Sequence, residues 1–538
     1  MKKRFFRLVC TMLVVMMILS LAVGCTTQPQ GSTTTGTNAT GTSQQGSSNE
    51  KVEPVKFSIM LRAGPDFATE NNPWINQINE RANAEITWIA VPTENIWDKR
   101  NVTMASNNYP EVIIMNTSQS SITDNLYEQM VKNKIILPID EYVKNCENIM
   151  EFTHDVSWNA IRHQDGNVYM VPRCTIIRED FMGIRKDWRE KLNIPVPETI
   201  EDWRAFYKAI ATGDPDQNGK DDTYGVSDAN EIMSYSGTIN LDFFARAWHA
   251  DKQWYDNGNG EVFYGMFAKD GRFKYALEFY RHLNEDKSLD PDLMTNKGNN
   301  SKFEKFYKGV VASARYFAGN LDRDLNTLRS LQPEAQAELV DFPTAPESAQ
   351  YQNEKIVLTN AGIYNGWALT NKAKGKEQAI VNVFDWMLSD EGWTILKYGA
   401  EGFQHKKEGD KIIKLEPEYT NFSKWIGHCM LFRRPNDETF WLKNTVPEIY
   451  DYQKEWLQKS VKYIEDNTVQ KGLLGIYSSN EVDFYKKDIF TKKFVEICAE
   501  IIYGEKPLDA WDEFIEEIYA EGWEEVTKEY NEYYKVNK

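Results

Sequence analysis

The apolar positions near the start of the chain repeat first at the spacing of a strand and then at the spacing of a helix. Alternate residues from Val55 to Leu61 are apolar, which predicts a half-buried strand. Asn72 and Pro73 then supply an N-cap and a first-turn proline ahead of apolar residues at helical spacing. Short apolar runs at 86–91 and 111–115 predict two more strands. The N-terminal part is therefore predicted to be an α/β lobe with a parallel sheet.

Helical periodicity takes over between residues 180 and 310 and again after residue 402. Thr199 and Asp202 stand at capping-box spacing before one such helix, and Gly213 follows it. Short strands are predicted at 310–314 and 356–358, with a helix around 380–387. This order predicts a chain that leaves its first lobe and returns to it, with a helix-rich C-terminal part. Two α/β lobes of this kind form a cleft, and such clefts bind small ligands at the C-terminal ends of parallel strands.

The N-terminus carries an export signal. Lys2–Arg7 contains four basic side chains and precedes the apolar run 8–23, which is too short to span a bilayer and predicts a signal peptide over 1–24. Leu21–Cys25 resembles the lipobox of bacterial lipoproteins, although Ala22 stands where that motif more often has leucine. Cys25 is therefore the predicted lipid anchor at the extracellular face of the cell membrane, with an ordinary cleavage site as the alternative. Residues 25–53 are rich in Thr, Ser, Gly and Gln and predict a flexible linker.

The composition limits the classes of partner. Lys and Arg total 62 against 80 Asp and Glu, and this net charge of -18 argues against broad electrostatic capture of nucleic acid or anionic lipid. Beyond Cys10 and Cys25, the four remaining cysteines are widely spaced and form no C-x-x-C pair, so zinc and redox-dithiol sites find no support. Buried free thiols are the expectation for these four, while export leaves one or two disulfides open.

Several segments together resemble one protein family. The segments are Asp165–Pro172, Ile184–Trp188, Asp214–Asp222 and Tyr398–Gly402. From about residue 54 to 538 the chain is similar to the large family-1 extracellular solute-binding proteins, and most of all to the LipO-type and alginate-oligosaccharide-binding lipoproteins of ABC importers. The resemblance implies a two-lobe type II periplasmic-binding-protein fold with an interlobe cleft. It also implies carbohydrate ligands, delivery to the transmembrane subunits of an ABC permease, and no catalysis.

The resemblance and the patterning together predict the division of the chain. Lobe 1 is expected to comprise 54–172 and 315–401, and lobe 2 to comprise 173–314 and 402–538. The protein is expected to act as a monomer. The absence of H-E-x-x-H and G-x-S-x-G motifs agrees with a protein that releases its ligand unchanged.

One acidic loop has the spacing of a calcium site. Asp214, Asp216 and Asn218 alternate, Gly219 allows a sharp turn, and the Lys220 carbonyl and Asp222 follow, as in positions one to nine of an EF-hand loop. The usual glutamate at position twelve is replaced by Gly225. In the alginate-binding relatives the matching loop binds calcium with help from the residue after the last Asp, which is Thr223 in this chain. The prediction is a structural Ca²⁺, with a solvated acidic turn as the alternative. A phosphate-binding loop is rejected because its carboxylates would repel a phosphate.

Candidate ligand contacts are aromatic or cationic residues near predicted strand ends. Sugars present apolar faces and many hydroxyls, so their sites need aromatic platforms beside fixed polar groups. The candidates are Arg62, Trp158, Arg173, Trp254, Arg315, Tyr316, Tyr364 and Trp367. Core packing is the alternative for each tryptophan, and a solvated or lobe-bridging role is the alternative for each arginine.

The sequence thus predicts a lipid-anchored protein that captures an oligosaccharide in a hinged cleft. An anionic sugar would need several of the arginines to face the cleft, whereas a neutral glycan would need mainly aromatic and hydroxyl-bonding groups. Two alternatives remain at this stage. One is a surface glycoside hydrolase with paired carboxylates, and the other is a peptide-binding importer component.

Overall fold

The computed structural model describes residues 53–537, with gaps at 65, 117–125, 164, 176–179, 228–239, 297–300, 318–320, 347–362, 438–453, 456–457, 459–478 and 486. Glu53–Lys538 forms one compact unit. The predicted signal peptide, the lipobox with Cys25 and nearly all of the predicted linker lie outside the described residues. The strand predicted at 356–358 lies outside them as well.

The described part of the chain contains strands that fall into two large sheets and two hairpins. The strands are β1 (Val55–Ala63), β2 (Ala84–Pro92), β3 (Val112–Asn116), β4 (Val171–Cys174), β5 (Asp180–Arg185), β6 (Tyr224–Val226), β7 (Trp254–Asp256), β8 (Val262–Tyr264), β9 (Val311–Phe317), β10 (Ala337–Val340), β11 (Ile363–Leu369), β12 (His405–Glu408) and β13 (Lys411–Lys414).

Helices surround both sheets and dominate the C-terminal region. The α-helices are α1 (Pro73–Arg81), α2 (Ile96–Ala105), α3 (Leu126–Lys132), α4 (Asp140–Val143), α5 (Glu147–Glu151), α6 (Asp155–Ala160), α7 (Lys186–Lys191), α8 (Ile200–Thr212), α9 (Asn240–Ala245), α10 (Phe273–Glu285), α11 (Ser301–Tyr307), α12 (Leu321–Leu331), α13 (Glu377–Leu388), α14 (Asp390–Tyr398), α15 (Glu418–Cys429), α16 (Ser479–Phe484), α17 (Phe494–Ile502), α18 (Ala510–Ile518) and α19 (Glu524–Asn537).

Local sequence signals explain where two of these helices begin. The Asn72 Oδ1 accepts a hydrogen bond from the Trp74 amide at 3.0 Å, and Pro73 occupies the first turn of α1. At α8 both halves of the capping box form, because Thr199 Oγ1 accepts from the Asp202 amide and the Asp202 side chain accepts from the Thr199 amide. Both predicted helix starts are confirmed.

The first sheet has the order β2-β1-β3-β11-β4. β1 runs parallel to β2 and to β3, while β11 is antiparallel to β3 and to β4. The C-terminal ends of β1–β4 and the N-terminal end of β11 therefore meet at one edge of the sheet. The second sheet has the order β10-β5-β9-β6, with β6 parallel to β9 and β5 antiparallel to both of its neighbours.

Each sheet organises its own hydrophobic core, so the fold is the predicted two-lobe α/β architecture. The first core joins β1–β4 and β11 to α1, α13, α14 and α15. The second core joins β5, β6 and β10 to α8, α10 and the C-terminal helices α16–α19. A smaller cluster around Phe306, Val311 and Leu328 packs α11 and α12 against the second sheet.

The cores differ from the predicted lobe boundaries at three places. Arg173 and Cys174 belong to β4 of the first sheet instead of lobe 2. β10 pairs in the second sheet and Phe342 lies in the second core, so this part of 315–401 does not join lobe 1. α15, within 402–538, packs in the first core. Long-range pairing decides these memberships, and the local pattern does not reveal it.

Judged from the described residues alone, the chain passes between the two cores three times. It does so between Cys174 and Asp180, between Ala345 and Ile363, and between Phe432 and Ser479. Among the described residues, no helix is long and apolar enough to cross a membrane. Cys146, Cys174, Cys429 and Cys498 are free and buried, which confirms the expectation for the four.

Candidate functional site

The end of the first sheet where its parallel strands finish carries two arginines against one indole. Arg62 lies near the end of β1, and its guanidinium carbon is 4.8 Å from the centroid of the Trp97 ring. Arg100, on α2, lies at the same distance from that ring. Burial lowers the pKa of Arg100 to about 10, which still leaves it cationic at neutral pH. Cation–π contact of this kind holds both guanidinium groups in fixed positions.

Arg173 is buried at the same edge, close to the end of α15. Its Nη2 donates to the Gly427 carbonyl at 3.2 Å, which places a cation beside the helix C-terminus. Cys429 is close enough to feel the Arg173 charge. Burial nevertheless raises the pKa of Cys429 to about 12, against the lowering effects of the Gly64 backbone and Arg173. The thiol therefore remains protonated at neutral pH.

β11 carries an irregularity where it reaches this edge. Ile363 pairs with Cys174 and Asn365 pairs with Arg173, so Tyr364 is an extra residue on the β11 side of a β-bulge. Asn365 also pairs with Asn116 on the opposite strand. Its side chain is 0% exposed. The bulge thus brings the predicted positions Arg173 and Tyr364 next to a residue that the sequence analysis did not single out.

The three predicted tryptophan platforms are core residues in the structure. Trp367 is 2% exposed, and its Nε1 donates to the Leu431 carbonyl at 2.7 Å. Trp254 is 4% exposed and stacks on Tyr530 with 3.9 Å between ring centroids. Trp158, on α6, is 7% exposed within the first core. Each ring is used for packing, which favours the core-packing alternative, and sugar contact by these tryptophans stays a prediction.

The second sheet holds the remaining predicted contacts. Arg315 is buried within β9, opposite Met182 of β5, instead of following the strand. Tyr316 pairs with Phe181 in the same ladder, and the side chains of Tyr316 and Tyr364 lie outside the described set. Arg62, Arg173, Tyr364 and Trp367 are thus carried by the first sheet, and Arg315 and Tyr316 by the second.

A buried polar cluster follows β6 in the second sheet and was missed by the sequence analysis. The Ser227 hydroxyl donates to Asp290, and Asn296 Nδ2 donates to the same carboxylate at 3.0 Å. Lys305 Nζ donates to Asp290 at 2.6 Å. Burial acts to raise the pKa of Asp290, but these hydrogen bonds outweigh it, so the pKa is lowered. The cluster joins residues up to 78 positions apart, so no local motif announces it.

The acidic loop at 214–222 folds around the amide of Asn218. Asn218 Nδ2 donates to Asp216 Oδ2 at 2.8 Å and to Asp222 Oδ1 at 2.9 Å. The two oxygens of Asp214 accept from the backbone amides of Asn218 and Gly219, each at 3.1 Å. Gly219 has φ of 74°, which suits the sharp turn expected there.

The donor set of this loop suits a hard divalent cation. Asp216 and Asp222 accept from the side-chain Nδ2 of Asn218, and Asp214 accepts from its backbone amide, so three carboxylates of the kind that bind Ca²⁺ lie around one residue. Burial and the neighbouring carboxylates of Asp214 and Asp222 raise the pKa of Asp216. In the described part of the chain, no three acidic, histidine or cysteine side chains converge as a metal cluster. The side chains therefore have the chemistry of a cation site, although in this structure their carboxylates accept hydrogen bonds from Asn218.

Comparison with known proteins supports the class that the fold defines. No protein-family model matches the chain. The chain is 22% identical over 475 residues to the polygalacturonan/rhamnogalacturonan-binding protein YtcQ of Bacillus subtilis, covering 86% of this chain and 88% of that protein. It is 21% identical over 487 residues to the lipoprotein LipO of the same organism, covering 88% of this chain and 91% of LipO.

Solved structures share the fold at low identity. An extracellular solute-binding protein from Bifidobacterium longum subsp. infantis gives a TM-score of 0.68 at 15% identity, covering 89% of this chain and 98% of that one. The alginate-binding protein AlgQ2, solved without calcium ion, gives 0.62 at 18% identity, covering 90% and 98%. An EF-hand mutant of FusA from Streptococcus pneumoniae, in complex with fructo-nystose, gives 0.61 at 16% identity, covering 90% and 100%.

The fold and the relatives together define the class. The chain has the two-lobe fold of the extracellular solute-binding proteins, as the sequence motifs predicted. Within that class its sequence is similar to YtcQ and LipO along most of the length of each.

Proposed function

We propose that this protein binds an oligosaccharide between its two lobes and delivers it to the transmembrane subunits of an ABC-type permease. The observation that carries the proposal is the match, over 86% of the chain, to YtcQ, which is named for binding polygalacturonan and rhamnogalacturonan. FusA, which shares the fold, was solved with fructo-nystose bound. The ligand lies at the strand ends of the first sheet, where Arg62 and Arg173 supply charge-assisted donors for its oxygen atoms.

The ligand leaves the protein chemically unchanged. The named relatives are binding proteins. The chemistry near the sheet edge agrees, because burial raises the pKa values of Cys174 and Cys429 to about 12 and leaves no thiolate nucleophile there at neutral pH. Lobe closure over the ligand, with contacts from both lobes, shifts the protein toward a closed form that the permease recognises.

A calcium ion stabilises the loop at 214–222. Asp214, Asp216, Asn218 and Asp222 supply side-chain oxygens, and Lys220 supplies a backbone carbonyl. AlgQ2 was solved without calcium ion and FusA as an EF-hand mutant, which supports the proposal. A bound cation would neutralise the repulsion among three carboxylates and pin the chain between α8 and β6.

The protein works as a monomer at the extracellular face of the membrane, held by a lipid on Cys25. The similarity to LipO, itself called a lipoprotein, supports the anchor. A flexible linker over 25–53 keeps the binding unit near its permease while it reorients.

Calorimetric titration with a defined sugar panel tests the proposal. The panel contains oligogalacturonides, rhamnogalacturonan fragments, kestose and nystose, and mass spectrometry of each sugar follows incubation with the protein. We expect micromolar or tighter binding of at least one sugar and no change in its mass. Shortened products would indicate a hydrolase. Binding of peptides with no sugar signal would indicate a peptide importer component.

A further inference from the structure

The inner strand β11 of the first sheet carries a buried amide at the ligand-facing edge. Asn365 is fully buried, and among the described residues neither its Oδ1 nor its Nδ2 has a hydrogen-bond partner. An amide removed from water without replacement partners destabilises the fold. Native proteins leave few such groups, so each one calls for a physical explanation.

A β-bulge in the backbone next to Asn365 sets the direction of this side chain. The register of β11 against β4 shifts between Ile363 and Asn365, with Tyr364 as the extra residue. A bulge bends its strand and redirects the side chains beside it, and bulges are frequent next to binding sites. The irregularity and the unpartnered amide therefore occur at the same position.

The neighbours of Asn365 favour a hydroxylated ligand. Asn365 pairs with Arg173, whose Nη2 donates to the Gly427 carbonyl. An arginine only donates hydrogen bonds, whereas an amide side chain both donates and accepts. A sugar hydroxyl also donates and accepts, so it can satisfy the amide in a way that a carboxylate cannot.

The position also explains how a ligand reaches a buried amide. Cys174 and Ile363 pair with each other beside Asn365. One passage between the cores begins at Cys174, and another ends at Ile363. We expect opening between the two lobes to expose this sheet edge to solvent.

We propose that the Asn365 amide, placed by the β11 bulge, hydrogen-bonds a hydroxyl of the bound oligosaccharide and so selects its ligand. This inference rests on the proposed oligosaccharide-binding function. No residue that the structure describes satisfies the Asn365 amide, and a ligand hydroxyl would supply the missing hydrogen bonds.

Asn365→Leu separates binding from folding. Calorimetry uses the tightest-binding sugar of the panel, and melting is measured without sugar. We expect at least tenfold weaker binding with an unchanged or higher melting temperature, because leucine removes an unpaired polar group of similar size. Asn382→Leu, on the exposed face of α13, is the matched control and should bind as the wild type does.

Monodeoxy analogues of the same sugar provide a readout that a structural role would not change. For one analogue, wild type and Asn365→Leu should bind equally, because the hydroxyl that the amide contacts is absent. An equal loss with every analogue would overturn the inference. So would wild-type affinity in Asn365→Leu, or a melting temperature several degrees lower without sugar. If the wild type binds no sugar of the panel, the proposed function fails and this inference fails with it.

Discussion

Glu481 is a buried carboxyl of the second lobe, and its protonation makes the stability of the protein depend on pH. It is fully buried and accepts hydrogen bonds from the Tyr530 hydroxyl and from the Tyr485 hydroxyl, the latter at 3.2 Å. The hydroxyl oxygens of Tyr485 and Tyr264 are also within hydrogen-bonding distance, at 3.2 Å. Burial raises the pKa of Glu481 to about 8, and the two tyrosine hydrogen bonds only partly oppose this rise. The native protein therefore holds a proton here that the unfolded chain releases near pH 4.5.

This proton makes stability depend on pH in a defined window. Between about pH 4.5 and pH 8 the folded state binds one more proton than the unfolded state, so the contribution of Glu481 to stability falls as pH rises, by at most about 1.4 kcal/mol per pH unit. Glu481→Gln stays neutral and keeps an acceptor for the tyrosines. We expect the melting temperature of Glu481→Gln, relative to that of the wild type, to increase steadily from pH 5 to pH 9. Circular dichroism provides the measurement.

Glu525→Gln is the matched control, because it removes the same charge from an exposed position of α19. Its melting temperature should follow that of the wild type across the same range. A constant offset between Glu481→Gln and the wild type at every pH would contradict the assignment.

At the scale of single residues, the sequence indicates which charged side chains lie near strand ends better than it indicates which aromatic side chains are buried. It placed Arg62, Arg173 and Arg315 just after predicted strands, because strand ends can be approximated from periodicity, whereas Arg315 lies inside β9. It could not tell that Trp254 stacks on Tyr530, 276 positions further along the chain. It did not single out Asn365, because a bulge depends on the partner strand. A polar residue inside an otherwise apolar strand was the available signal.

At the scale of elements, local signals fix helix starts and loop chemistry. The capping box of α8 and the N-cap of α1 formed as predicted because their donors and acceptors lie within three residues of each other. The same is true of the acidic loop, whose contacts span at most five residues. Sheet membership was harder, because β10 and β11 pair with strands more than 150 residues earlier.

Calcium should stabilise the protein through the acidic loop. A ligand that binds only the folded state adds about 2.7 kcal/mol of stability at one hundred times its dissociation constant. We expect Ca²⁺ to raise the melting temperature of the wild type but not that of Asp216→Asn, because this change removes one of the three carboxylates. Differential scanning calorimetry of chelator-treated protein provides the measurement.

Asp221→Asn is the control for that experiment. Asp221 is exposed in the same loop, carries the same charge and is not among the proposed ligands. It should keep the response to Ca²⁺. An equal response in Asp216→Asn, or none in the wild type, would argue for a solvated acidic turn.

At the scale of the whole molecule, we expect each lobe to move as a unit. Each core is packed internally by its own sheet and helices. Contacts made by a ligand to both lobes therefore favour closure over opening.

Small-angle X-ray scattering should detect that closure. We expect the radius of gyration to decrease when the tightest-binding sugar of the panel is added at saturation. A sugar of the panel that does not bind is the control and should leave the scattering curve unchanged. An unchanged radius with saturating, calorimetrically verified ligand would show that binding does not draw the lobes together.

The strand order β2-β1-β3-β11-β4 also has a consequence for synthesis. β3 and β4 each need β11 as a neighbour, and β11 ends only at Leu369. Until the ribosome has added that residue, the first sheet has an incomplete edge and cannot close its core. We expect this delay to keep the nascent polypeptide from premature compaction, which would suit export through the signal peptide that the sequence predicts.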